Sequence, residues 1–328
     1  MALRRVVVVG CGSIGSRHAR LLSRREDVEL ELCEVEAGNL ERVLDQVGQV
    51  PTYDSYQRML ETQPDAVLIA TPIGLHAPQA IEALAGGAHV LCEKPMSDTV
   101  ASARRMREAA EHSDRVFSVG FTMHFHPVMH HIKGVIDSGE LGRVMQVHWH
   151  VGSYLTLMNS VSRHQASLEG ALLLDYAHQP DMLYWWLGEK PVAVYAAGRQ
   201  GGNLPLQSNP NIMAITLEYE RELLATINLN YVQHPLRSTC EVIGDEGWVF
   251  FDFETARVVL GKRREESEEQ QTFDVEIDSL YTAEHQAFFD AVDGKRAPES
   301  PAGEALVSMQ IIEAAIASWK QQQRVAVH

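Results

Sequence analysis

Over the first ~120 residues, short apolar runs alternate with amphipathic stretches. The runs have the length of buried strands, and the stretches between them repeat their apolar residues at helical spacing. Apolar strands separated by helices are typical of a parallel sheet that helices cover on both faces. The predicted strands are RRVVVVG (4–10), VELELCEV (28–35), DAVLIATP (65–72), HVLCEKP (89–95) and VFSVGF (116–121). The predicted helices are SIGSRHARLLSRR (13–25), NLERVLDQVG (39–48), HAPQAIEALAGG (76–87) and VASARRMREAAEHS (100–113).

The pattern changes after Phe121. Longer strand-like segments follow, several with no helix between them, which favours a mostly antiparallel sheet. GDEG at 244–247 is predicted to be a turn between two of them. The predicted strands cover 143–153, 191–199, 211–220, 222–233, 238–244 and 247–252, and helices near 282–293 and 303–320 close the chain.

A chain of 328 residues is too long for one compact core, so we predict two domains. The first, residues 1–121, is expected to be a doubly wound parallel α/β sheet. The second, residues 122–328, is expected to be an α/β domain with a large, mostly antiparallel open sheet. Within it, the charged run KRREESEEQQ (262–271) is predicted to be a solvated hairpin loop.

Composition narrows the class of protein. Hydrophobic residues make up 45% and charged residues 22% of the chain, as in soluble globular proteins. No apolar run approaches the roughly 20 residues of a membrane span. The net charge of −16 and the absence of a basic stripe argue against nucleic acid as a partner. The four cysteines form no C-x-x-C pair, so we expect reduced thiols and a cytoplasmic protein.

The turn GCGSIG follows the first strand and opens the first helix. Gly10 would permit the tight turn, Gly12 would let a pyrophosphate approach the backbone, and Gly15 would let helix and strand pack closely. The N–H groups at the helix N-terminus would face the phosphates. Glu34 lies 19 positions past Gly15 and completes the dinucleotide fingerprint of a Rossmann fold.

Glu34 also bears on the choice of cofactor. A carboxylate at the end of the second strand can accept hydrogen bonds from the ribose hydroxyls and would repel a 2′-phosphate. The segment EVEAG (34–38) has no arginine that could bind such a phosphate. We therefore predict NAD rather than NADP.

The chain resembles the glucose–fructose oxidoreductase and inositol dehydrogenase family, written Gfo/Idh/MocA. The resemblance covers nearly the whole chain. It implies a Rossmann domain, a second domain that binds substrate and joins subunits, and NAD(P)-dependent oxidation or reduction of sugars, cyclitols and related compounds. A homodimer or homotetramer is implied, because the open sheet of such a domain is covered by another subunit. The matching segments are GCGSIGSRH (10–18), ATPIGLHAPQAIEAL (70–84), EKPMS (93–97), SVGF (118–121), SGELGRVMQV (138–147), VIGDEGWVFFD (242–252) and AEHQAFFDAVDGK (283–295).

By position in these motifs, the resemblance makes Lys94 the substrate-facing lysine beside the nicotinamide. A cation there would stabilise the negative charge that develops on a hydroxyl oxygen as its carbon loses hydride. The backbone around Glu93 and Lys94 would hold the ribose side of the cofactor. The remaining cofactor-binding positions are Ser13, Ile14, Thr71, Pro72 and His76.

The resemblance places a second group of site residues in EGALLLDYAHQPDML (169–183). Asp175 would lie near the substrate, and His178 would be the general acid/base. On one helix the two residues would share a face, and Asp181 could orient the histidine. Pro180 opposes this arrangement, since it must kink a helix or begin one. If a helix begins there, His178 lies on its entry turn.

The segment VGSYLTLMNSVSRHQASLEG (151–170) is shorter and plainer than the matching segment of the resembling subset, so substrate identity does not carry over. Tyr154, Asn159, Arg163 and His164 are candidate ligands, and His124 is another. The six histidines of 124–131 and 148–150 are not expected to bind a metal, because no Cys, Asp or Glu lies at ligand spacing. YWWLG (184–188) is predicted to be core packing.

We therefore predict an NAD-dependent dehydrogenase that acts on a CH–OH carbon of a sugar, sugar acid or cyclitol. Lys94 would stabilise the oxygen, His178 would handle the proton, and Asp175 would position the substrate. Two alternatives stay open. The protein could be a non-catalytic NAD-binding regulator or subunit, or a reductase of a non-sugar substrate such as an imine, dihydrodiol or tetrapyrrole.

Overall fold

The computed structural model describes residues 3–159, 170–204, 208–266 and 268–328. The chain divides into two compact units. The first consists of Met1–Thr122 and Ile277–Met309, and the second of Met123–Glu276 and Gln310–His328.

The strands and helices follow the predicted alternation in the first part of the chain. The strands are β1 (Arg4–Val9), β2 (Val28–Cys33), β3 (Thr52–Tyr53), β4 (Ala66–Ile69), β5 (His89–Glu93), β6 (Phe117–Gly120), β7 (Val144–Gly152), β8 (Ala193–Arg199), β9 (Ile212–Glu218), β10 (Leu224–Asn230), β11 (Arg237–Gly244), β12 (Gly247–Asp252), β13 (Arg257–Lys262), β14 (Glu268–Thr272) and β15 (Val325–Ala326). The helices are α1 (Ser13–Leu22), α2 (Ala37–Val47), α3 (Tyr56–Leu60), α4 (His76–Ala85), α5 (Val100–Glu111), α6 (Pro127–Asp137), α7 (Tyr154–Asn159), α8 (Ala171–Asp175), α9 (His178–Leu187), α10 (Ile277–Val292) and α11 (Ala302–Gln321).

The first unit contains a six-stranded parallel sheet in the order β3-β2-β1-β4-β5-β6. Its inner strands are buried along almost their whole length, which is why their sequences are continuously apolar. This is the strand order of a Rossmann fold, and ligands bind such sheets where the order reverses, at the carboxyl ends of the central strands. In this sheet the reversal lies between β1 and β4.

The first unit also takes in residues from late in the chain, which the predicted continuous domain over 122–328 does not anticipate. Phe288 and Phe289 of α10 belong to the same buried cluster as Val6 and Val8 of β1 and Leu22 of α1. Two aromatic side chains bring a large apolar area to that core, and this explains why the segment joins the parallel sheet rather than the second unit.

The second unit contains a nine-stranded sheet in the order β14-β13-β12-β11-β7-β10-β9-β8-β15. Among its described strands, β7 and β10 pair in parallel and the other neighbours pair antiparallel, as predicted. Side chains of β9 alternate between buried and open positions. Trp186 is buried and stacks on Trp149 of β7 with the ring centroids 5.0 Å apart, so the core-packing interpretation of 184–188 is confirmed for this residue.

The prediction of a loop over 262–271 is partly wrong. Residues from Glu268 onward form the exposed strand β14, which pairs with β13. A charged segment can form this strand because the pairing with β13 uses backbone hydrogen bonds, which do not depend on the side chains. On an edge strand, charged side chains also prevent pairing with a further strand. In the described part of the chain, no helix is both long and apolar enough to cross a bilayer.

Candidate active site

Two of the three glycines of the first turn are required by their backbone surroundings. Gly10 has a φ of +88°, and a Cβ there would lie 2.8 Å from the carbonyl oxygen of Ala70. A Cβ on Gly15 would overlap the carbonyl oxygen of Gly10 and lie 2.9 Å from its carbonyl carbon. The turn therefore fits tightly between β1, α1 and the end of β4, and both positions exclude any side chain.

Gly12 is different, because a Cβ there would meet no atom within 4 Å. Gly12 is the N-cap of α1, and no side chain caps this end of the helix. Of the next two residues, Ser13 is exposed and Ile14 is half-buried. Protein packing leaves this position empty, so the space over it suits a ligand. An anion here would face the N–H groups and the positive end of the helix dipole. The cradle fits the pyrophosphate of a dinucleotide.

Glu34 lies at the rim of this cradle, directly after β2. One oxygen of its carboxylate accepts from the Cys11 N–H at 2.6 Å, and the other accepts from the Glu36 N–H at 2.9 Å. Asn39 Nδ2 lies 3.4 Å from the first of these oxygens. The side chain is thus fixed beside the glycine turn, where a carboxylate receives ribose hydroxyls in such folds.

The cysteines beside this turn are buried and poorly suited to chemistry. Burial, with the charge of Glu34 adding to it, raises the pKa of the Cys11 thiol to about 12 and that of Cys33 to about 11. Thiols with such pKa values stay protonated at neutral pH, and the thiolate is the reactive form. Both side chains therefore serve as small apolar groups in the core.

His76 connects the loops that follow β4 and β5. Its Nε2 lies 2.9 Å from the carbonyl oxygen of Thr71, and its Nδ1 lies 3.0 Å from that of Pro95. The ring is buried, and burial lowers its pKa. Thr71 is half-buried and Pro72 is exposed at the same edge of the sheet. His76 therefore fixes the backbone of this edge, and its direct contact with a cofactor stays a prediction.

Lys94 follows β5 and is half-buried. Its backbone N–H donates to Oε2 of Glu93 at 3.0 Å, while Oε1 of the same carboxylate lies 2.9 Å from Nε2 of His18 in α1. The Glu93 side chain is buried and points into the first unit. Its part in a cofactor site would therefore come from its backbone, as the resemblance implied.

In the second unit, Asp175 and His178 lie on two different helices, which is the alternative that Pro180 favoured over a single helix. Helix α8 ends at Asp175, Tyr176 leaves helical geometry with a ψ of 35°, and α9 begins at His178. Pro180 is the third residue of α9, where its missing N–H has no intrahelical acceptor to lose. His178 therefore lies on the entry turn of α9, and both side chains are half-buried.

Asp175 has a partner that the sequence did not reveal. The hydroxyl of Tyr231, directly after β10, donates a hydrogen bond to the Asp175 carboxylate. Burial, together with the charge of Asp175, raises the pKa of Tyr231 well above its usual value. The tyrosine therefore stays a hydrogen-bond donor and fixes the orientation of Asp175. Residues 56 positions apart carry no common motif, so this pair had no local signal.

Asp181, expected to orient His178, lies beside another histidine. Its Oδ2 is 2.8 Å from Nε2 of His124, and both side chains are buried. The His124 ring also packs on Trp185 with the centroids 4.6 Å apart. His124 as a substrate ligand stays a prediction.

The other predicted substrate ligands are only partly placed by the structure. Tyr154 is half-buried, and its backbone N–H donates to the carbonyl oxygen of Gln233 at 2.7 Å. Arg163 and His164 lie outside the described residues. Asn159 ends α7.

The histidines that could have formed a metal site have separate partners. His126 is the N-cap of α6 rather than a residue inside it, and its Nδ1 accepts from the Val128 N–H at 3.3 Å. His148 lies 2.8 Å from Oγ1 of Thr226, and His150 lies 2.9 Å from Oε1 of Gln233.

Two profiles of one protein family match the chain. Residues 4–121 match the profile described as an oxidoreductase family with an NAD-binding Rossmann fold, and residues 129–250 match that of the GFO/IDH/MocA C-terminal domain. The inositol 2-dehydrogenase of Salmonella typhimurium is 26% identical over 301 residues, which cover 90% of this chain and 87% of the relative.

Solved structures share the fold at low sequence identity. An oxidoreductase from Agrobacterium radiobacter, in complex with NAD+, L-tartaric acid and magnesium, has a TM-score of 0.90 at 17% identity and covers 99% of this chain and 98% of its own. The scyllo-inositol dehydrogenase from Lactobacillus casei, with bound NAD(H) and scyllo-inositol, has a TM-score of 0.84 at 21% identity and covers 99% of both chains. At such identities these likenesses establish the fold.

Proposed function

This chain belongs to the GFO/IDH/MocA oxidoreductase family with its NAD-binding Rossmann fold, and we propose that it transfers a hydride between NAD and a CH–OH carbon of a sugar, sugar acid or cyclitol. The observation that carries the proposal is the cradle at Gly12, which protein packing leaves empty between tightly packed Gly10 and Gly15. The relatives named inositol 2-dehydrogenase, which match this chain over most of their length, support a polyol as substrate.

The cofactor is held by the first unit, and NAD is favoured over NADP. The N–H groups of the turn and of the α1 N-terminus would bind the pyrophosphate, and Glu34 would accept from the ribose hydroxyls. A buried carboxylate at this rim disfavours a 2′-phosphate through like-charge repulsion. When bound, the nicotinamide supplies the hydride acceptor or donor.

Three side chains carry the chemistry in this proposal. The Lys94 ammonium stabilises negative charge that develops on the substrate oxygen. His178 accepts or donates the hydroxyl proton, a role that suits an imidazole near neutral pH. Asp175, fixed by Tyr231, accepts hydrogen bonds from substrate hydroxyls and positions them. Tyr154, Arg163 and His124 are further candidate ligands of the substrate.

The test is NADH formation by the purified protein with NAD or NADP and a panel of sugars, sugar acids and cyclitols. We expect turnover with NAD on at least one polyol and its loss in Lys94→Ala. Lys190→Ala, which removes an exposed lysine, is the matched control and should retain the activity.

A protein that binds NAD but oxidises no polyol would contradict the proposal. Turnover of an imine or dihydrodiol would then point to a reductase, and no turnover of either would point to a regulatory NAD-binding protein. A His178→Ala variant with an unchanged pH profile of kcat would remove that residue from the mechanism.

We also propose a homo-oligomer formed through the open face of the nine-stranded sheet. Tyr195, Ile212 and Leu224 are 47%, 40% and 40% exposed on this face. Trp248 and Phe250 of β12 are half-buried on the same face. If the open face of one subunit packs against a second copy of the chain, these apolar side chains are removed from water, which stabilises the oligomer. Sedimentation should detect a dimer or tetramer, and Leu224→Glu should shift it toward the monomer, whereas a monomeric wild type would refute the interface.

A cytoplasmic location is part of the proposal. Cys11, Cys33, Cys92 and Cys240 are all free and buried in this structure. Unpaired thiols are typical of proteins in reducing compartments. Fractionation of the source cells should recover the protein with cytoplasmic markers, and recovery with membranes or the medium would contradict this location.

A further inference from the structure

Four buried titratable side chains of the first unit have no part in the proposed chemistry. His18 comes from α1, Glu93 from the end of β5, and Glu284 and His285 from α10; they are 0%, 8%, 3% and 1% exposed. In the described ranges, His18, Glu93 and Glu284 make up a group whose potential ligand atoms all lie within 4.8 Å of one another. Such a group needs either a proton or a cation to balance its charge.

The hydrogen bonds of this cluster limit where its protons can lie. An ionised Glu93 carboxylate only accepts, so His18 must carry its proton on Nε2, 2.9 Å from Glu93 Oε1. The other ring nitrogen of His18, Nδ1, lies 2.7 Å from Nε2 of His285. Burial, with His18 and Arg25 adding to it, lowers the pKa of His285 well below its usual value. His285 is therefore neutral, and one proton lies between its Nε2 and the Nδ1 of His18.

We propose that Glu93 is a positioning residue for Lys94, and that His285 and His18 fix its carboxylate through a hydrogen-bond chain that runs in one direction. His285 donates to His18, His18 donates to one oxygen of Glu93, and the Lys94 N–H donates to the other. The inference rests on the proposed function, in which Lys94 stabilises the substrate oxygen. It connects α1, the helix of the pyrophosphate cradle, to the peptide of the reactive lysine.

Glu284 completes the charge balance of the cluster. Neither of its oxygens has a hydrogen-bond partner among the residues that the structure describes. Burial and the charge of Glu93 raise its pKa well above the usual value. Glu284 therefore carries a proton, while the Glu93 carboxylate is held by His18 and by the Lys94 N–H.

A neighbouring glycine keeps space for the Glu93 carboxylate. A Cβ on Gly120 of β6 would lie 3.2 Å from Glu93 Oε1 and 3.3 Å from the carboxylate carbon. Those contacts are tight enough to displace the carboxylate by a few tenths of an ångström. Gly120→Ala therefore perturbs the position of Glu93 without removing a hydrogen-bonding group.

NMR of the histidine ring nitrogens tests the hydrogen-bond chain without any turnover. We expect His18 and His285 to be neutral with the proton on Nε2, and His18→Gln and His285→Gln to assign the two signals. Glu93→Gln turns a group that only accepts into one that must also donate. If its amide nitrogen faces His18, both histidines move their protons to Nδ1. Wild-type signals with the His18 proton on Nδ1 would overturn the chain.

Kinetics test the positioning role once a substrate is known. We expect Glu93→Gln to lower kcat by about 10- to 100-fold, as misplaced catalytic groups do, with a much smaller change in the KM of the polyol. Gly120→Ala should lower kcat in the same direction by a smaller factor. Unchanged kcat in both variants, with an active wild type, would overturn the inference while leaving the proposed function intact.

Glu284→Gln distinguishes a proton from a cation. Because glutamine imitates a protonated carboxyl group, we expect this variant to retain the histidine tautomers and the NAD affinity of the wild type. Metal analysis of the purified proteins tests whether a bound cation, rather than a proton, balances the charge of Glu284. One equivalent of a divalent metal in the wild type that Glu284→Gln lacks would overturn the assignment of a proton to Glu284.

Discussion

Gly12 and Gly15 lie three residues apart, and the structure predicts opposite consequences for the same change at each. Alanine at position 15 places a methyl group against the Gly10 carbonyl, 2.9 Å from its carbon and closer to its oxygen. Alanine at position 12 places a methyl group in open space, on a backbone with an ordinary φ of −68°. Gly15→Ala should therefore damage the fold, and Gly12→Ala should damage ligand binding alone.

The magnitudes follow from what the methyl group meets. The neighbour of position 15 is backbone, which cannot rotate away, so the cost should reach the upper end of overpacking, about 3 kcal/mol. In a unit of this size, that corresponds to a fall in Tm of roughly 6–12 °C. Gly12→Ala should change stability by less than about 1 kcal/mol, because it adds no clash and reduces the entropy of the unfolded chain. Its methyl group would occupy the space expected for the pyrophosphate.

Thermal unfolding and NAD titration separate the two effects. We expect Gly12→Ala to unfold within a few degrees of the wild type but to bind NAD at least about tenfold more weakly, a change of 1.4 kcal/mol. Gly15→Ala should show a lower Tm even without NAD. Wild-type affinity for NAD in Gly12→Ala would refute the assignment of the cradle to the pyrophosphate. A stable Gly15→Ala would refute the packing argument.

Three further predictions concern single side chains. Glu34→Gln should lower the affinity for NAD by about tenfold or more and the affinity for NADP by less, since it removes a charged acceptor of the ribose hydroxyls. Titration with both cofactors checks this, with Glu36→Gln as the control. An unchanged preference for NAD would contradict the assignment. Tyr231→Phe should lower kcat/KM for the polyol by about tenfold without lowering the affinity for NAD, because it removes the hydrogen-bond donor that fixes Asp175. A kcat/KM equal to that of the wild type would exclude this role. Burial lowers the pKa of His126 from 6.5 to about 4. In that window the unfolded chain binds the proton and the folded chain does not, so stability falls as pH falls, by up to about 1.4 kcal/mol per unit from this residue. His126→Asn, which can still cap α6, should flatten the pH dependence between pH 6.5 and 4 in chemical unfolding, and equal slopes would contradict the shift.

The sequence predicted residues 1–121 well because local signals determine their structure. Continuous apolar strands, helical spacing and glycines with fixed backbone roles all lie within a few residues of one another. The structure confirms each strand and helix predicted before Phe121, with shorter bounds at most ends. The short elements β3 and α3 were missed, since two and five residues hold too few periods for a pattern.

The site in the second unit was harder to predict, because its contacts join distant positions. Asp175 meets Tyr231 and Asp181 meets His124 across 56 and 57 residues. Pro180 was the one local signal against a single helix through this segment, and the structure has a new helix that begins at His178. The return of α10 to the first unit depends on burial of Phe288 and Phe289, which a periodic pattern does not reveal.

The central claim, that this chain moves a hydride between NAD and a CH–OH carbon, is tested most directly with a deuterated polyol. The protein would be incubated with NAD and an inositol or sugar that carries deuterium on its carbinol carbons, and the nicotinamide would be analysed by mass spectrometry. We expect reduced cofactor with one deuterium per molecule, formed by the wild type and not by Lys94→Ala. Bound NAD that stays oxidised and unlabelled with every polyol of the panel would contradict it.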